Sequence, residues 1–262
     1  MHNDLLTIGK FTLHGYSVMI AVGFILSMAL CVLKAKKEHK NDDVITDLGL
    51  ISVIGGFLGG KIMYLLVDFK TLISNPKAVL GFPQIFGGFV VYGGIIAGFF
   101  GFMIYCKIKK INTFEYLDFM IPFIAIVQGF GRIGCFLAGC CYGAPTNSPL
   151  GVIFPAGSLA PAGIKLWPTQ LFSSAGDFLI AGILLLVSMK NKKHGNITVL
   201  YAILYGVGRF LVEFLRSDER GAIGVFSTSQ FIALIIVPIA IVFGVIINLP
   251  KKDTKEKANG AD

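Results

Sequence analysis

Seven apolar stretches, each about 20 residues long, divide this sequence into spans and short connections. A helix needs about 20 apolar residues to cross the hydrocarbon core of a bilayer. The stretches are Gly15–Leu33, Val44–Val67, Ile85–Cys106, Tyr116–Ala138, Gln170–Met189, Thr198–Leu215 and Ser229–Leu249. The sequence therefore predicts an all-α polytopic membrane protein with seven transmembrane helices.

The composition excludes an ordinary soluble domain. Of the 262 residues, 55% are hydrophobic and only 15% are charged, and the mean hydropathy is +0.76. A net charge of +8 could indicate a nucleic-acid partner, but the lysines lie between apolar stretches and form no basic stripe with interleaved aromatics. Membrane topology explains these lysines better, and we expect no nucleic-acid partner.

The polar segments suggest how the chain is divided. We expect a membrane domain over residues 1–250, with a proline- and glycine-rich connection at 142–169 that lies on the outer face. Residues 251–262 are lysine-rich and are expected to form a cytoplasmic tail.

The distribution of basic residues indicates the orientation. Fourteen of the 23 lysines and arginines follow the first, third, fifth and seventh stretches. Six lie in the N-terminal lead or follow the other stretches, and three lie within stretches. Because cytoplasmic loops carry the excess of basic residues, the N-terminus is predicted outside and the C-terminus in the cytoplasm.

A charged residue interrupts the fourth stretch. Arg132 lies in the glycine-rich run 129–143, which also contains Gly131 and three cysteines. A charge at bilayer depth normally faces a bundle interior or a cavity, and glycines allow a helix or a ligand to approach the backbone. The alternative is a structural arginine that caps helix-end carbonyls.

Other polar residues fall at the same depth. Lys61 and Arg209 come late in stretches that run outward, as Arg132 does, whereas His14 and Tyr92 come early in stretches that run inward. All five therefore fall in the outer half of the membrane. One shared polar cavity would explain this choice of leaflet.

The sixth stretch ends in a charged stripe. Arg209, Glu213 and Arg216 are spaced i, i+4 and i+7, which places them on one helix face. An intrahelical ion pair at the interface is one interpretation. With Arg132 and Lys61 added, cations outnumber the single carboxylate, which favours an anionic ligand such as a phospholipid headgroup.

Three cysteines follow Arg132 and leave several interpretations open. Cys135, Cys140 and Cys141 could be packing residues, could include a disulfide from Cys135 to one of the adjacent pair, or could supply a nucleophilic thiol. Their spacing matches no common zinc site and no histidine is near in the sequence, so no metal is expected.

Several motifs together resemble the bacterial prolipoprotein diacylglyceryl transferases. They are Gly131-Arg132-Ile133-Gly134 closing at Gly143, Tyr92-Gly93-Gly94, Pro168-Thr169-Gln170-Leu171, Arg209-Phe210-Leu211-Val212-Glu213-Phe214 with Arg216, and Ser229-Gln230. The resemblance spans nearly the whole chain. It implies a seven-helix enzyme that moves diacylglyceryl from phosphatidylglycerol to the thiol of a lipobox cysteine in a prolipoprotein signal peptide, with release of glycerol phosphate.

The resemblance also implies site residues. Arg132 and Arg209 would act on the phosphate, Glu213 would orient them, and His14 or Tyr92 would help to deprotonate the thiol. The candidate substrate-binding residues are Lys61, Gly93, Gly94, Gly131, Gln170, Glu213 and Arg216.

The sequence departs from the usual family pattern at seven positions. The family usually has tyrosine at His14, histidine at Tyr92 and arginine at Lys61. It usually has asparagine at Cys135, glutamate at Cys140, histidine at Trp167 and glutamate at Ser173. The exchange of histidine and tyrosine is interpreted as a swap within one cavity, and the chain as a divergent branch.

Two other hypotheses stay open at this point. One is a transferase of the same fold that uses a different acceptor, or that uses Cys140 or Cys141 as a covalent relay. The other is a non-catalytic phospholipid-binding or transport protein. Because the polar groups crowd one leaflet, an interfacial enzyme is favoured. We expect a monomer without cofactors in the bacterial cytoplasmic membrane, with its active site facing the outer leaflet.

The predicted orientation can be tested by cysteine accessibility. A reporter cysteine at position 40 should react only with a membrane-permeant reagent, because Lys40 belongs to a basic cytoplasmic flank. A reporter at position 147, in the connection expected outside, should react with an impermeant one. Reaction of position 40 with the impermeant reagent in intact cells would overturn the orientation.

Overall fold

The fold follows from the seven apolar stretches, each of which forms a helix. The computed structural model describes residues 4–8, 11–76, 88–191, 193–218 and 221–249. The helices are α1 (Gly15–Lys37), α2 (Asp42–Val67), α3 (Phe69–Ser74), α4 (Val91–Lys109), α5 (Thr113–Ala138), α6 (Thr169–Ser188), α7 (Asn196–Glu213) and α8 (Thr228–Asn248). Within the described ranges, seven of these, all except α3, are long and apolar enough to span a membrane. The predicted seven-helix fold is confirmed.

Polar residues fix where several helices begin. Asn41 accepts a hydrogen bond from the backbone N–H of Val44 at the start of α2, and Asn112 caps α5 in the same way. At the start of α8, Ser227 and Gln230 form a reciprocal capping box. These caps satisfy amides that the first helical turn leaves without backbone partners.

The third spanning helix is shorter than the sequence predicted. It begins at Val91, and Gly88–Val90 are not helical; the predicted start at Ile85 lies outside the described residues. Gly88 has a φ of 64°, a left-handed conformation that glycine adopts without strain. The backbone N–H of Val90 then donates to the carbonyl of Gly60 on α2, at 3.1 Å.

Three short hairpins accompany the helices in the described part of the chain. They are β1 (Asp4–Ile8) with β2 (Phe11–His14), β3 (Val152–Ile153) with β4 (Lys165–Leu166), and β5 (Ala222–Ile223) with β6 (Phe226–Ser227). All are antiparallel. The sequence analysis predicted no strands. The hairpins precede α1, join α5 to α6 and join α7 to α8, so they lie at one end of the bundle.

The connection between α5 and α6 has a small core of its own. Phe154, Ala160 and Leu166 are buried there against Phe136 and Tyr142. The connection ends at Pro168, because α6 begins at Thr169. Its expected place on the outer face stays a prediction, and the expected tail at 251–262 lies outside the described residues.

Helix α5 is the centre of the bundle. It is the most buried spanning helix, and it packs against α1, α4, α6 and α7. One buried cluster joins it to α1, α2 and α4, and a second joins it to α6 and α7. Many large apolar side chains on the outer surfaces are exposed, as expected for helices solvated by lipid.

At the end of α5 remote from the hairpins, Asp118 fixes the start of α7. The buried Asp118 carboxylate accepts hydrogen bonds from the backbone N–H groups of Gly195 and Thr198, at 2.7 and 2.8 Å. It also accepts one from the Thr198 hydroxyl, at 2.6 Å. A carboxylate at a helix N-terminus is stabilised by these free amides and by the helix dipole.

Glycines allow α2 and α4 to pack backbone to backbone. A Cβ built on Gly59 would lie 2.5 Å from the carbonyl oxygen of Gly93, and a Cβ on Gly93 would lie 2.5 Å from that of Gly59. Gly94 is similarly close to the carbonyl of Gly56. Small residues permit such contacts, and they supply van der Waals packing in a bilayer.

This contact generates a prediction about stability. Gly59→Ala should destabilise the bundle by roughly 1–3 kcal/mol, because the methyl group would force the two backbones apart. Gly56→Ala is the matched control on the same helix, since its Cβ would meet its nearest neighbour at 3.9 Å. Thermal denaturation in detergent should show a lower midpoint for Gly59→Ala only; equal midpoints would contradict the packing argument.

Candidate active site

The glycines around Arg132 bring two other helices onto the last turns of α5. A Cβ on Gly129 would lie within 3 Å of the Phe178 ring on α6. A Cβ on Gly134 would lie 3.1 Å from the backbone of Tyr16 on α1. The Ser174 hydroxyl, on α6, also donates to the carbonyl of Gly129 at 2.9 Å. These contacts fix the height and rotation of the turn that carries Arg132.

A cleft opens between α5, α6 and α7, and the two predicted arginines line it. Its polar lining also includes residues that the sequence analysis did not single out. The lining residues are Arg132, Phe172, Ser173, Gly176, Asp177, Ile180, Tyr205, Gly208, Arg209 and Val212. The cleft is therefore an apolar slot with two guanidinium groups and one carboxylate.

Glu213 orients Arg209. One guanidinium nitrogen of Arg209 lies 2.9 Å from the Glu213 carboxylate, and another donates to the Ser229 hydroxyl at 3.0 Å. Glu213 is 4% exposed. Because a buried carboxylate and a hydroxyl hold it on two sides, the Arg209 fork has a fixed direction at the cleft wall. The role of Glu213 in orienting the arginines toward a substrate stays a prediction.

Arg216 belongs to the same charged group but faces a different partner. It lies 3.7 Å from Glu213 and makes a bidentate pair with Asp218, at 2.9 and 2.7 Å. Burial disfavours its charge, but the hydrogen bonds to Asp218 prevail and raise the pKa of Arg216. Arg216 therefore closes the end of the stripe, outside the residues that line the cleft.

Arg132 is held by tyrosines. Its guanidinium interacts with Tyr205, and the Tyr205 ring stacks on Tyr201 with centroids 5.5 Å apart. The Tyr201 hydroxyl donates to the amide oxygen of Gln128 at 2.6 Å. Among the residues that the structure describes, Arg132 has no carboxylate within 4.0 Å. The positive charge of Arg132 is thus not matched by an ion pair.

Asp177 is a site residue that the sequence analysis missed. It is 4% exposed, it interacts with both Arg132 and Arg209, and its Oδ2 atom has no hydrogen-bond partner within the described part of the chain. The signal was available, because Asp177 is an ionisable residue inside the apolar stretch Gln170–Met189. Among the described residues, Arg132, Arg209 and Arg216 are thus accompanied by three carboxylates in place of the one that was predicted.

Some predicted site residues do not reach the cleft. The side chains of His14 and Tyr92 are exposed, and neither residue lines it. Lys61 is buried on α2, with its ammonium group over the rings of Tyr64 and Phe89, 5.0 and 5.6 Å from their centroids. The prediction that all five polar residues share one cavity is therefore wrong: Arg132 and Arg209 line the cleft, whereas His14, Tyr92 and Lys61 do not.

The predicted substrate-binding glycines and Gln170 have structural contacts. Gly93 and Gly94 face α2, as described above. Gly131 faces open space, since its Cβ would meet no atom within 4 Å. The Gln170 side-chain amide is buried and donates to the carbonyl of Cys140 at 2.6 Å. A substrate contact for these residues stays a prediction.

The three cysteines gather beside the arginines. The sulfur atoms of Cys135, Cys140 and Cys141 all lie within 4.8 Å of one another, and all three thiols are free. Hydrogen bonds from the other two thiols lower the pKa of Cys141, and the nearby Arg216 and Arg132 act in the same direction. The pKa of Cys140 is raised by its hydrogen bonds to the other two thiols and by burial.

Comparison with known proteins identifies the family of this chain. The family model described as prolipoprotein diacylglyceryl transferase matches residues 3–246. The chain belongs to this family. It is 47% identical over 229 residues to a Clostridium tetani protein named phosphatidylglycerol–prolipoprotein diacylglyceryl transferase, with 87% of this chain and 91% of the relative covered.

Other members of the prolipoprotein diacylglyceryl transferase family are similarly covered. A Clostridium perfringens protein with the same name, numbered 2, is 46% identical over 86% of this chain and 87% of its own length. One from Finegoldia magna is 34% identical over 90% of each chain. The family resemblance inferred from the motifs is therefore confirmed.

One departure from the usual family pattern can now be placed. Ser173, where the resemblance implies a glutamate, lines the cleft and donates to its own helix at Thr169. Asp177 is one helical turn further along the same face of α6 and also lines the cleft. A carboxylate therefore remains in the cleft although position 173 has none.

The role of Gln170 can be tested by separating stability from activity. Gln170→Leu should lower the midpoint of thermal unfolding, because the half-buried Cys140 carbonyl would lose its donor, at a cost of about 1–3 kcal/mol. Ser173→Ala is the control, since the Ser173 hydroxyl bonds only within its own helix. An unchanged midpoint with lost activity would instead indicate a direct substrate contact.

Proposed function

We propose that this protein transfers the diacylglyceryl group of phosphatidylglycerol to the cysteine thiol of a prolipoprotein. Membership of the family and the names of relatives at 47% and 46% identity support this proposal. The apolar cleft with two guanidinium groups supports it independently, because it combines an apolar surface for a lipid with hydrogen-bond donors for its phosphate.

The observation that carries the proposal is that Arg132 lies in the cleft without a close ion pair among the described residues, since Asp177 interacts with it only from beyond 4.0 Å. An arginine in an apolar cleft, with no carboxylate within 4.0 Å among the described residues, is costly unless an anion joins it. Its planar fork suits two oxygens of a phosphodiester. Arg209 lines the same cleft and is already directed by Glu213. The two arginines would therefore hold one phosphate between them.

The reaction is a nucleophilic displacement at carbon. The thiolate sulfur attacks the glyceryl carbon that bears the phosphate, so that an S–C bond forms while the C–O bond breaks. The electron pair of the C–O bond leaves with the glycerol phosphate, whose charge increases as it departs. Arg132 and Arg209 would stabilise that charge in a site of low dielectric constant.

The thiol needs a proton acceptor, and Asp177 is placed to be one. Its buried carboxylate lines the cleft and has an oxygen that the described residues leave without a hydrogen-bond donor. His14, predicted from the sequence, is a stronger base in water but has an exposed side chain at the start of α1. A general base must first lie within reach of the proton that it accepts, and the position of Asp177 in the cleft therefore favours it over His14.

The lining of the cleft suits a lipid. Phe172, Ile180 and Val212 provide apolar walls. Gly176 and Gly208 both line the slot, and a Cβ built on either would meet no atom within 4 Å, which leaves room on α6 and α7. We propose that the glyceryl end of the lipid enters between these two helices while its acyl chains stay in the bilayer.

We also propose that the cleft faces the outer leaflet of the bacterial cytoplasmic membrane and that the protein acts as a monomer. The excess of basic residues on the opposite flanks supports the orientation. Arg132 and Arg209 lie near the ends of α5 and α7, at the end of the bundle where the hairpins lie. A prolipoprotein delivered across the membrane would meet the lipid there.

The transfer itself can be observed directly. Purified protein, incubated with labelled phosphatidylglycerol and a lipobox peptide, should yield a peptide whose mass has increased by one diacylglyceryl group. A lipidated cysteine of the enzyme would indicate a covalent relay. Labelled lipid that binds without any transfer to peptide would favour a different acceptor or a lipid-binding protein.

Both arginines should be required as arginines. Arg132→Lys and Arg209→Lys keep the charge but lose the bidentate fork, so each should lower turnover at least ~100-fold, if each guanidinium stabilises the transition state by roughly 3 kcal/mol. Thermal midpoints would show that the variants remain folded. Turnover near wild type in either variant would assign that arginine a structural role.

Two variants distinguish the candidate bases Asp177 and His14. Asp177→Asn should abolish transfer while the lipid still binds, whereas His14→Phe should keep most of the activity because its side chain lies outside the cleft. Turnover across pH 6–8 and binding of labelled phosphatidylglycerol would be measured for both variants. The opposite result would support the swap of His14 and Tyr92, and exchanging both residues should then restore part of the activity that His14→Tyr loses.

A further inference from the structure

The three cysteines beside the cleft form a cluster that the proposed reaction does not use. Cys135 lies in the last turn of α5, and Cys140 and Cys141 follow directly after the helix. Their sulfur atoms lie within 4.8 Å of one another. The other two cysteines, Cys31 and Cys106, are buried in the hydrophobic cluster that joins α5 to α1, α2 and α4.

The backbone turns sharply to bring these thiols together. Gly139 has a φ of 74°, and the backbone N–H of Cys140 donates back to the carbonyl of Cys135 at 3.1 Å. This reversal returns Cys140 to the end of the helix that it has just left. Cys141 has a φ of 59°, which is rare and costly for a residue with a side chain.

Helix α6 holds the turn from the other side. The Thr169 hydroxyl donates to the carbonyl of Cys141 at 2.7 Å, and the Gln170 amide donates to that of Cys140 at 2.6 Å. Both side chains are 1% exposed. The positions of the thiols are therefore built into the junction of α5 and α6, since two hydrogen bonds from buried donor residues would have to break for the turn to relax.

Three thiolates at this spacing suit a soft cation. A metal–sulfur bond is about 2.3 Å long, so a trigonal or tetrahedral site places its sulfur atoms about 3.8–4.0 Å apart. Small side-chain rotations would bring the observed thiols to that separation. Sulfur ligands select soft ions such as zinc, cadmium or copper(I) over magnesium or calcium.

The surrounding charges compensate such a site. A divalent ion with three thiolates has a net charge of −1, and the guanidinium groups of Arg132 and Arg216 both interact with Cys141. No metal was expected from the sequence, because the spacing of the cysteines matches no paired-cysteine motif. The spacing alone does not show the chain reversal, which brings together cysteines that are five and six positions apart.

We propose that Cys135, Cys140 and Cys141 form a binding site for one thiophilic divalent cation at the junction of α5 and α6. Binding forms three metal–sulfur bonds and displaces the thiol protons to solvent, without any change of oxidation state. Water or an exogenous ligand completes a tetrahedral shell around the ion. This site lies beside Arg132, which the proposed reaction also uses, but its test needs no enzymatic activity.

Cadmium is a suitable probe, because its bonds to thiolates absorb in the ultraviolet. The full chain, purified in detergent, reduced and stripped with a chelator, would be titrated with Cd(II) while absorption and bound metal are measured. We expect saturation at one ion per chain. Each of the variants Cys135→Ser, Cys140→Ser and Cys141→Ser should weaken binding at least ~10-fold, since each removes one ligand.

Controls make the outcome decisive. Cys31→Ala should bind Cd(II) as the wild type does, because Cys31 lies in the other cluster. Thermal unfolding should shift upward with Cd(II) in the wild type and in Cys31→Ala, but not in the three serine variants. The proposal is overturned if the wild type shows no thiolate absorption, if the serine variants retain it, or if mass spectrometry of unreduced protein finds a disulfide within the cluster.

Discussion

The cost of keeping a guanidinium group inside an apolar bundle determines much of this structure. Arg209 meets that cost with the buried carboxylate of Glu213 and with Ser229. Arg132 instead has tyrosines, Gln128 behind them, and the more distant charge of Asp177. The two arginines of the cleft therefore differ: Arg209 is neutralised by a carboxylate of the protein, whereas Arg132 is placed to bind the phosphate that we propose.

The same constraint explains why α5 is central. A helix that carries a charge near its end must be surrounded by partners, and four spanning helices pack around it. Its glycines permit this, since α1 approaches at Gly134 and α6 at Gly129. Position 131 is the exception, because it faces open space beside Arg132. The glycine-rich run thus serves helix packing at most positions and access at one.

The sequence predicted the helices and the two arginines because apolar length and a charge within an apolar run are local signals. It did not predict which polar residues meet. Depth in the membrane placed His14, Tyr92 and Lys61 at the level of Arg132, but depth does not specify the position around the bundle. That position depends on which helices are neighbours, so Lys61 could not be separated from the cleft before the pairing of α2 with α4 was known.

Glycine pairs were ambiguous for a similar reason. Gly93 and Gly94 could admit either a ligand or a helix, and only the structure identifies α2 as the partner. Asp177 was detectable by the rule that found Arg132. The cysteine cluster depends on a chain reversal at Gly139 and on hydrogen bonds from α6, which no spacing rule contains.

The carboxylate of Asp118 has a mechanical consequence for α7. It fixes the first turn of that helix through three hydrogen bonds, whereas Arg209 and Val212 line the cleft near the opposite end. Eighteen residues separate the ends by about 27 Å at the usual rise per residue. If α7 tilted by about 5° about this fixed turn, its far end would move by roughly 2 Å, which would widen the slot beside α6.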